Sequence, residues 1–459
     1  MSAEIRHRKV NSKDSSEADS RTSVSSMPFS RRSRPDRPVH LHIDSPISNS
    51  TGFTNYRGFL NLCVVLLVLS NFRVALENVM KYGLLVDPFY WVNVIISEPS
   101  SPNTVLFFMV NVFILFSLGV EKGIAVGKIS APLSSVLIAT NLAVVLIFPA
   151  AVVLIVKPFL MFSMFSMGLY SITFLKLFSY HMVNGWCRDW AKSNPDGKIE
   201  DLKPGEVMYP DNLNVRDIYY FMLAPTLCYE LNFPRNDKIR IRFLLRRIAE
   251  MILLSQVMLA MIQQWIFPAV INTLEPFHQM DIARVIERVC KLAIPNHIIW
   301  LIFFYWMFHS CLNFTGELLR FADRDFYRDW WNAESVGYFW QNWNICVHRW
   351  CVRHLYKPML YQKYSKMQAA LAVFLVSAFF HEYLVSVPLS MFRLWSFLAM
   401  MFQIPFAVFC NQYLRGMAGN ISVWLSLIVG QPIAIMMYFH DYYVLNVASK
   451  EVNNSTVTM

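Results

Sequence analysis

Between Phe59 and Tyr443 the chain returns repeatedly to apolar runs of about 20 residues. An α-helix rises 1.5 Å per residue, so each run can cross about 30 Å of hydrocarbon. Apolar residues make up 55% of the 459, and charged residues only 16%, against about 25% charged in a typical soluble domain. So much apolar surface excludes a chain that is disordered throughout. The expectation is an all-α, polytopic membrane protein.

Nine spans account for the runs, at roughly 59–80, 104–120, 132–154, 159–181, 249–271, 292–314, 367–389, 395–414 and 421–441. The formal net charge of +10 gains meaning from its location. Ten Lys/Arg fall in residues 1–57, eleven in 182–247 and eight in 315–366. With the N-terminus in the cytosol and nine crossings, all three stretches lie on the cytosolic side, as the positive-inside rule requires. Their aromatic context favours membrane surface and anionic ligands over nucleic acid. Residues 1–57, rich in Ser, Arg, Asp and Pro, read as a disordered basic tail. A cleaved signal peptide is not expected, so the first span serves as an uncleaved anchor. Residues 58–445 form the membrane domain, with 182–247 and 315–366 as long cytosolic loops. Residues 446–459 form a short luminal tail.

Eight cysteines are scattered, mostly in or beside apolar runs, where Cys behaves as a small hydrophobe. No disulfide framework is expected. Cys346, His348, Cys351 and His354 superficially resemble a metal site. At about 100° per residue on one helix they point in divergent directions, so no metal is expected there.

An ionisable residue deep in a span is a functional hypothesis by default. His381 lies about 22 Å into its helix from Lys366 at 1.5 Å per residue. Ser377 shares its face at i−4, whereas Glu382 is rotated about 100° away. A neutral imidazole there suits a general base acting on an alcohol. No serine sits in a Gly-x-Ser-x-Gly elbow and no cysteine has a plausible His and Asn partner, so direct transfer is expected rather than a covalent acyl-enzyme. A His held by a backbone carbonyl is the bland alternative.

The second basic loop supplies the complementary chemistry. Asn344 and His348 stand at i,i+4, with Gln341 three residues before Asn344, which places all three on one face if the segment is a single helix. Carboxamides can stabilise the oxyanion formed as a thioester is attacked. Arg349, Arg353, Lys357 and Lys366 can bind phosphates, and Tyr356 can stack on an adenine. The free N–H groups at the Lys366 helix start also favour an anion. Solvated helix polarity and positive-inside topology explain the same residues more plainly. Gln403 and Gln431 interrupt apolar spans and should face the bundle interior, bonding either an acceptor or another helix.

These residues sit in motifs. Phe326-Tyr327-Arg328-Asp329-Trp330-Trp331-Asn332 resembles the FYxDWWN signature of the sterol and diacylglycerol branch of the membrane-bound O-acyltransferases. Ser377-Ala-Phe-Phe-His381-Glu382-Tyr383 resembles that family's active-site histidine segment, with Asn344 between the two. Ala224-Pro225-Thr-Leu-Cys-Tyr229-Glu230-Leu-Asn-Phe-Pro234-Arg235 is similar to the members that esterify diacylglycerol, as are Gly430-Gln431-Pro432 and His440-Asp441-Tyr-Tyr443. The resemblance runs from about residue 57 to 445. It implies an endoplasmic reticulum enzyme whose helices enclose an intramembrane chamber, assembled as a homodimer or homotetramer. It also implies transfer of an acyl group from acyl-CoA, a substrate rather than a cofactor, to diacylglycerol.

On this reading His381 and Asn344 are catalytic, and Gln403, Gln431, Glu382 and Ser377 meet the acceptor. Gln341, Trp343, His348, Arg349, Tyr356 and Lys366 bind acyl-CoA. The Phe326–Asn332 segment builds the CoA-facing surface, with Asp329 paired to a nearby base. The rival readings are an acyltransferase for a sterol, retinol or wax alcohol, and a lipid or anion transporter. A transporter commonly shows repeated halves, and no repeat is evident here.

Overall fold

The computed structural model describes residues 57–97, 101–194, 206–271 and 282–443. The expected disordered tail and the luminal tail fall outside these residues. Two compact units divide the chain after Val74. The first is described from residue 57 to 74, and is the leading part of one apolar helix, α1 (Arg57–Tyr82). All that follows concerns the second unit.

It is helical, and among the described residues there is no β-strand, only an isolated bridge between Arg235 and Phe321. A short α2 (Tyr90–Ser97) leads to α3 (Ser101–Ala125), α4 (Ala131–Val156) and α5 (Leu160–Ser193). Each of the last three is apolar enough to span a bilayer. Pro132 in the first turn of α4 and a left-handed Lys157 at its end fix that helix's limits. Tyr170, Tyr180, Met167 and Leu177 of α5 are fully buried and pack with Leu106, Phe113 and Val145 of α3 and α4. α5 runs well past the expected end at 181. The extension carries Asn184, whose Oδ1 accepts Asn212 Nδ2 at 2.8 Å just before the short α6 (Val215–Leu223), and earlier in α5 Lys176 Nζ donates to the carbonyls of Phe221, Met222 and Ala224 at 2.7–2.9 Å. Those carbonyls end α6 and would otherwise be orphaned.

The next two long helices are interrupted by wide turns. α7 (Ile241–Met261) passes through a π-helical turn, Ile262–Ile266, into α8 (Phe267–Ile271). α9 (Ile282–Phe304) passes through a second, Tyr305–Cys311, into α10 (Leu312–Leu318). The first turn aims Gln263 and Gln264 at the Asp87 and Leu85 N–H groups, both at 2.9 Å.

A 3₁₀ turn at Trp330–Asn332, α11 (Val336–Asn342), α12 (Ile345–Cys351), a π turn at Val352–Tyr356 and α13 (Lys357–Tyr361) follow. The last helices are α14 (Lys366–Leu389), α15 (Trp395–Tyr413) and α16 (Met417–Tyr443). Gly419 brings α16 against the 331–334 loop so closely that a Cβ would lie 2.1 Å from the Glu334 carbonyl oxygen. Beside it Asn420 Nδ2 donates to the Trp331 and Ala333 carbonyls.

Among the described residues seven helices, α1 included, are long and apolar enough to cross a membrane. The two remaining expected spans coincide with helices that carry more polarity, α7–α8 and α15, so the fold is consistent with nine. The two basic loops fold onto each other: Asn236 and Ala322 N–H donate to the Arg320 and Pro234 carbonyls, and Glu317 accepts three bonds from Arg240.

Candidate active site

α14 starts from a capping box. Ser365 Oγ accepts the Gln368 N–H at 3.2 Å, and Gln368 Oε1 accepts the Ser365 N–H at 2.9 Å. This box takes one of the amide donors an anion would use at exposed Lys366 and leaves the others. Further along the helix, His381 Nδ1–H donates to the Ser377 carbonyl at 2.7 Å, with Ser377 Oγ at 3.5 Å. That bond places the proton on Nδ1 and leaves Nε2 with its lone pair. The residue is exposed on the surface of its helix.

Glu382 turns the other way and is buried. Its carboxylate accepts the Ser386 hydroxyl, the Tyr438 hydroxyl at 2.8 Å, and the Leu394 and Phe397 N–H groups at 3.0 and 3.1 Å. Leu394 is the N-cap residue of α15. Glu382 therefore caps a neighbouring helix at its positive end and ties it to α16. This corrects its assignment to substrate.

The face of α14 that carries His381 also carries Phe374, two turns earlier. Phe374 meets Trp340 edge-on at 6.5 Å. Trp340 and Trp343 belong to an aromatic cluster with Phe304, Phe308, Trp330 and Phe339, joined by Phe406 and Ala407 of α15 and Trp424 and Leu427 of α16. Gln403 lies one turn before Phe406, and Gln431 one turn after Leu427. Neighbours of Asn344, Gln403 and Gln431 thus share one core. Gln403 is half-buried, and Gln431 Oε1 accepts Asn296 Nδ2 at 3.2 Å from α9, so Gln431 has a helix-to-helix role of its own.

The single helix expected for residues 341–348 is broken. α11 ends at Asn342 and α12 begins at Ile345, so exposed Gln341 and half-buried Asn344 do not share a helix face. Asn344 is the N-cap of α12. Its Oδ1 accepts the Val347 N–H at 3.1 Å, which leaves the Nδ2 amide as the group's outward donor. Trp343 stacks on Phe339 at 6.0 Å.

The FYxDWWN segment faces inward more than expected. Phe326 and Trp330 are buried. The Tyr327 hydroxyl meets His309 Nδ1 at 2.8 Å, and Asn332 and Trp331 are exposed. Asp329 accepts the Tyr338 hydroxyl at 2.7 Å, which holds its carboxyl below the usual range; its partner is a tyrosine, not a base. Arg328 pairs with Asp325 at 2.7 Å. Phe326, Tyr327 and Trp330 therefore build the aromatic core beneath the loop rather than a CoA-facing surface.

α12 and the π turn after it wall a cavity of about 420 Å³, lined by Cys228, Glu230, His348, Arg349, Val352, Arg353 and Lys357. Tyr356 is half-buried in the same turn. Burial lowers the pKa of His348, with Arg328 adding to the effect. Burial also pushes the Cys228 thiol up to about 11 and the Cys346 and Cys351 thiols up to about 12, so none is a thiolate near neutral pH. Cys346 Sγ lies 3.7 Å from the Pro225 carbonyl, and His354 Nε2 meets Ser179 Oγ at 2.8 Å. Sequence reading missed Cys228, Glu230 and Val352 as lining residues. Residues 228 and 230 come from the first basic loop, and only the folding of the two loops together brings them here.

The sequence profile of MBOAT, the membrane-bound O-acyltransferase family, matches residues 198–440. The chain belongs to this family. Among curated membrane-bound O-acyltransferases it is 57% identical over 412 residues to Diacylglycerol O-acyltransferase 1 of Homo sapiens, covering 89% of this chain and 84% of that protein. It is 54% identical over 420 residues to the Bos taurus protein of the same name, covering 90% and 86%. Diacylglycerol O-acyltransferase 1C of Glycine max is 38% identical over 419 residues, covering 89% and 80%. The family match spans the cavity, Asn344, His381, Gln403 and Gln431.

Proposed function

We propose that this protein transfers a fatty acyl group from acyl-CoA to the free hydroxyl of a 1,2-diacylglycerol, giving triacylglycerol and CoA. The observation that carries this reading is the 57% identity, over most of both chains, to a protein named for that activity. The site chemistry agrees with it. His381 Nε2 takes the proton of the acceptor hydroxyl as its oxygen attacks the thioester carbonyl. The oxyanion forms within reach of the Asn344 Nδ2 amide. When the C–S bond breaks, the CoA thiolate recovers the proton from His381, so no covalent acyl-enzyme and no cofactor are required.

The basic cavity holds the anionic end of acyl-CoA through Arg353 and Lys357, with Arg349, His348, Gln341, Trp343, Tyr356 and Lys366 around it. Gln403 and Gln431 hold the acceptor side, and Ser377 orients His381. The protein acts in the endoplasmic reticulum membrane as a homodimer or larger homo-oligomer, with its N-terminus cytosolic and its C-terminus luminal.

Purified protein supplied with labelled oleoyl-CoA and a panel of diacylglycerol, sterol, retinol and long-chain alcohol tests the reading. Labelled triacylglycerol as the main product is the expected result. A preference for sterol or another alcohol would overturn the acceptor, and no transfer to any acceptor by a monodisperse, folded preparation would overturn the reaction.

A further inference from the structure

The charges lining the basic cavity are unequally committed. Arg349 is held tightly, its guanidinium at 2.5 Å from Asp323 and 2.8 Å from Asp325. Arg353 is different. Its NH1 donates to the Tyr229 carbonyl at 3.0 Å, and its guanidinium lies over the Trp186 ring at 5.6 Å. Its carboxylate partner, Glu230, stands off at 3.8 Å, beyond hydrogen-bond distance. Lys357 is exposed at the cavity edge, and none of the ion pairs among the described residues uses it. The cavity therefore offers two cations available to a ligand, and one carboxylate that reaches only Arg353, and that one loosely.

Arg353 does not need Glu230 to stay in place, because a backbone carbonyl and an indole face already fix it. Glu230 is also half-exposed, so its own desolvation is slight. What it does contribute is a negative charge in a cavity built for anions. A phosphate entering between Arg353 and Lys357 meets that charge at short range and is repelled.

Resting on the acyl-CoA reading above, we infer that Glu230 is a competing counter-ion. In the ligand-free protein it shares Arg353, and a phosphate of the acyl donor displaces it, so that Glu230 limits how tightly CoA is held. A weaker hold suits a site that must release free CoA after every turnover. Glu230 is a residue that sets affinity, not one that takes part in acyl transfer.

Binding of free CoA to the purified, full-length protein tests this, measured calorimetrically over a salt series. Glu230→Gln tightens CoA about fivefold, equivalent to about 1 kcal/mol, and lowers KM for oleoyl-CoA by a similar factor. Glu230→Asp, which keeps the charge, stays near wild type. Lys357→Gln weakens CoA and flattens the salt dependence, because one phosphate contact is lost. Unchanged or weakened CoA binding by Glu230→Gln, beside normal binding by wild type, overturns the counter-ion role and leaves the acyl-CoA reading standing. Wild-type protein that binds no CoA at any salt concentration overturns the acyl-CoA reading itself.

Discussion

Asn344 is proposed to do two jobs with one carboxamide. Its oxygen caps α12 through Val347, and its nitrogen is the donor proposed for the oxyanion. Aspartate caps a helix as well as asparagine does, but it has no N–H to give. Asn344→Asp should therefore keep the wild-type melting temperature in detergent and lose about a hundredfold in kcat, the size of a missing oxyanion donor. An equal loss of stability and activity would make Asn344 a cap alone. His354 gives a second residue-level test. Its ring stacks on Trp186 at 5.6 Å and burial pulls its pKa from the ordinary 6.5 to about 4, with Arg353 adding to the effect. The unfolded chain takes up a proton below pH 6.5 while the folded one resists until about 4. Stability from this group is therefore complete above about pH 6.5 and falls as pH drops towards 4. His354→Gln should flatten thermal stability across that window, whereas an unchanged pH profile would place the acid sensitivity elsewhere. The sequence marked His381 as a candidate, because two adjacent ionisable residues in hydrocarbon have few explanations. It could not show which way Glu382 pointed in three dimensions, since three of its four donors come from the start of α15 and from α16.

At the scale of elements, the hydropathy of α3, α4, α14 and α16 is strong enough that their positions were legible to within about five residues, whereas the polar C-terminal third of α5, to Ser193, was not. The π turns at Ile262–Ile266 and Tyr305–Cys311 were not, because one extra residue in a turn leaves mean hydropathy unchanged. The break between α11 and α12 was hidden for a similar reason: an Asn serves equally as a solvated helix residue and as an N-cap. The element that binds the rest is Glu382, which joins α14, α15 and α16 through four donors. Glu382→Ala strands those donors in a water-poor interior and should cost about 3 kcal/mol. A melting temperature lowered by several degrees, with reduced kcat through displaced α15, is the expected outcome. A variant with wild-type stability and no activity would return Glu382 to the substrate.

For the whole molecule, the two basic loops form one folded surface over the helices, and His381 lies along α14 away from it. This is the arrangement needed when one substrate is anionic and water-soluble at one end and the other dissolves in lipid. The proposed nine crossings would place that surface in the cytosol and the C-terminus in the lumen. In sealed microsomes a protease should remove an epitope tag at the N-terminus and spare one at the C-terminus; removal of both would require an even number of crossings. The central claim is that His381 carries the proton in acyl transfer to diacylglycerol, and its most direct test compares wild type with His381→Ala. Both proteins would be purified in detergent, matched for elution and melting temperature, and assayed with labelled oleoyl-CoA and diacylglycerol. Loss of at least about a hundredfold in kcat, the lower range for a general base, with CoA binding retained, is the predicted result. Equal rates from the two proteins would contradict it.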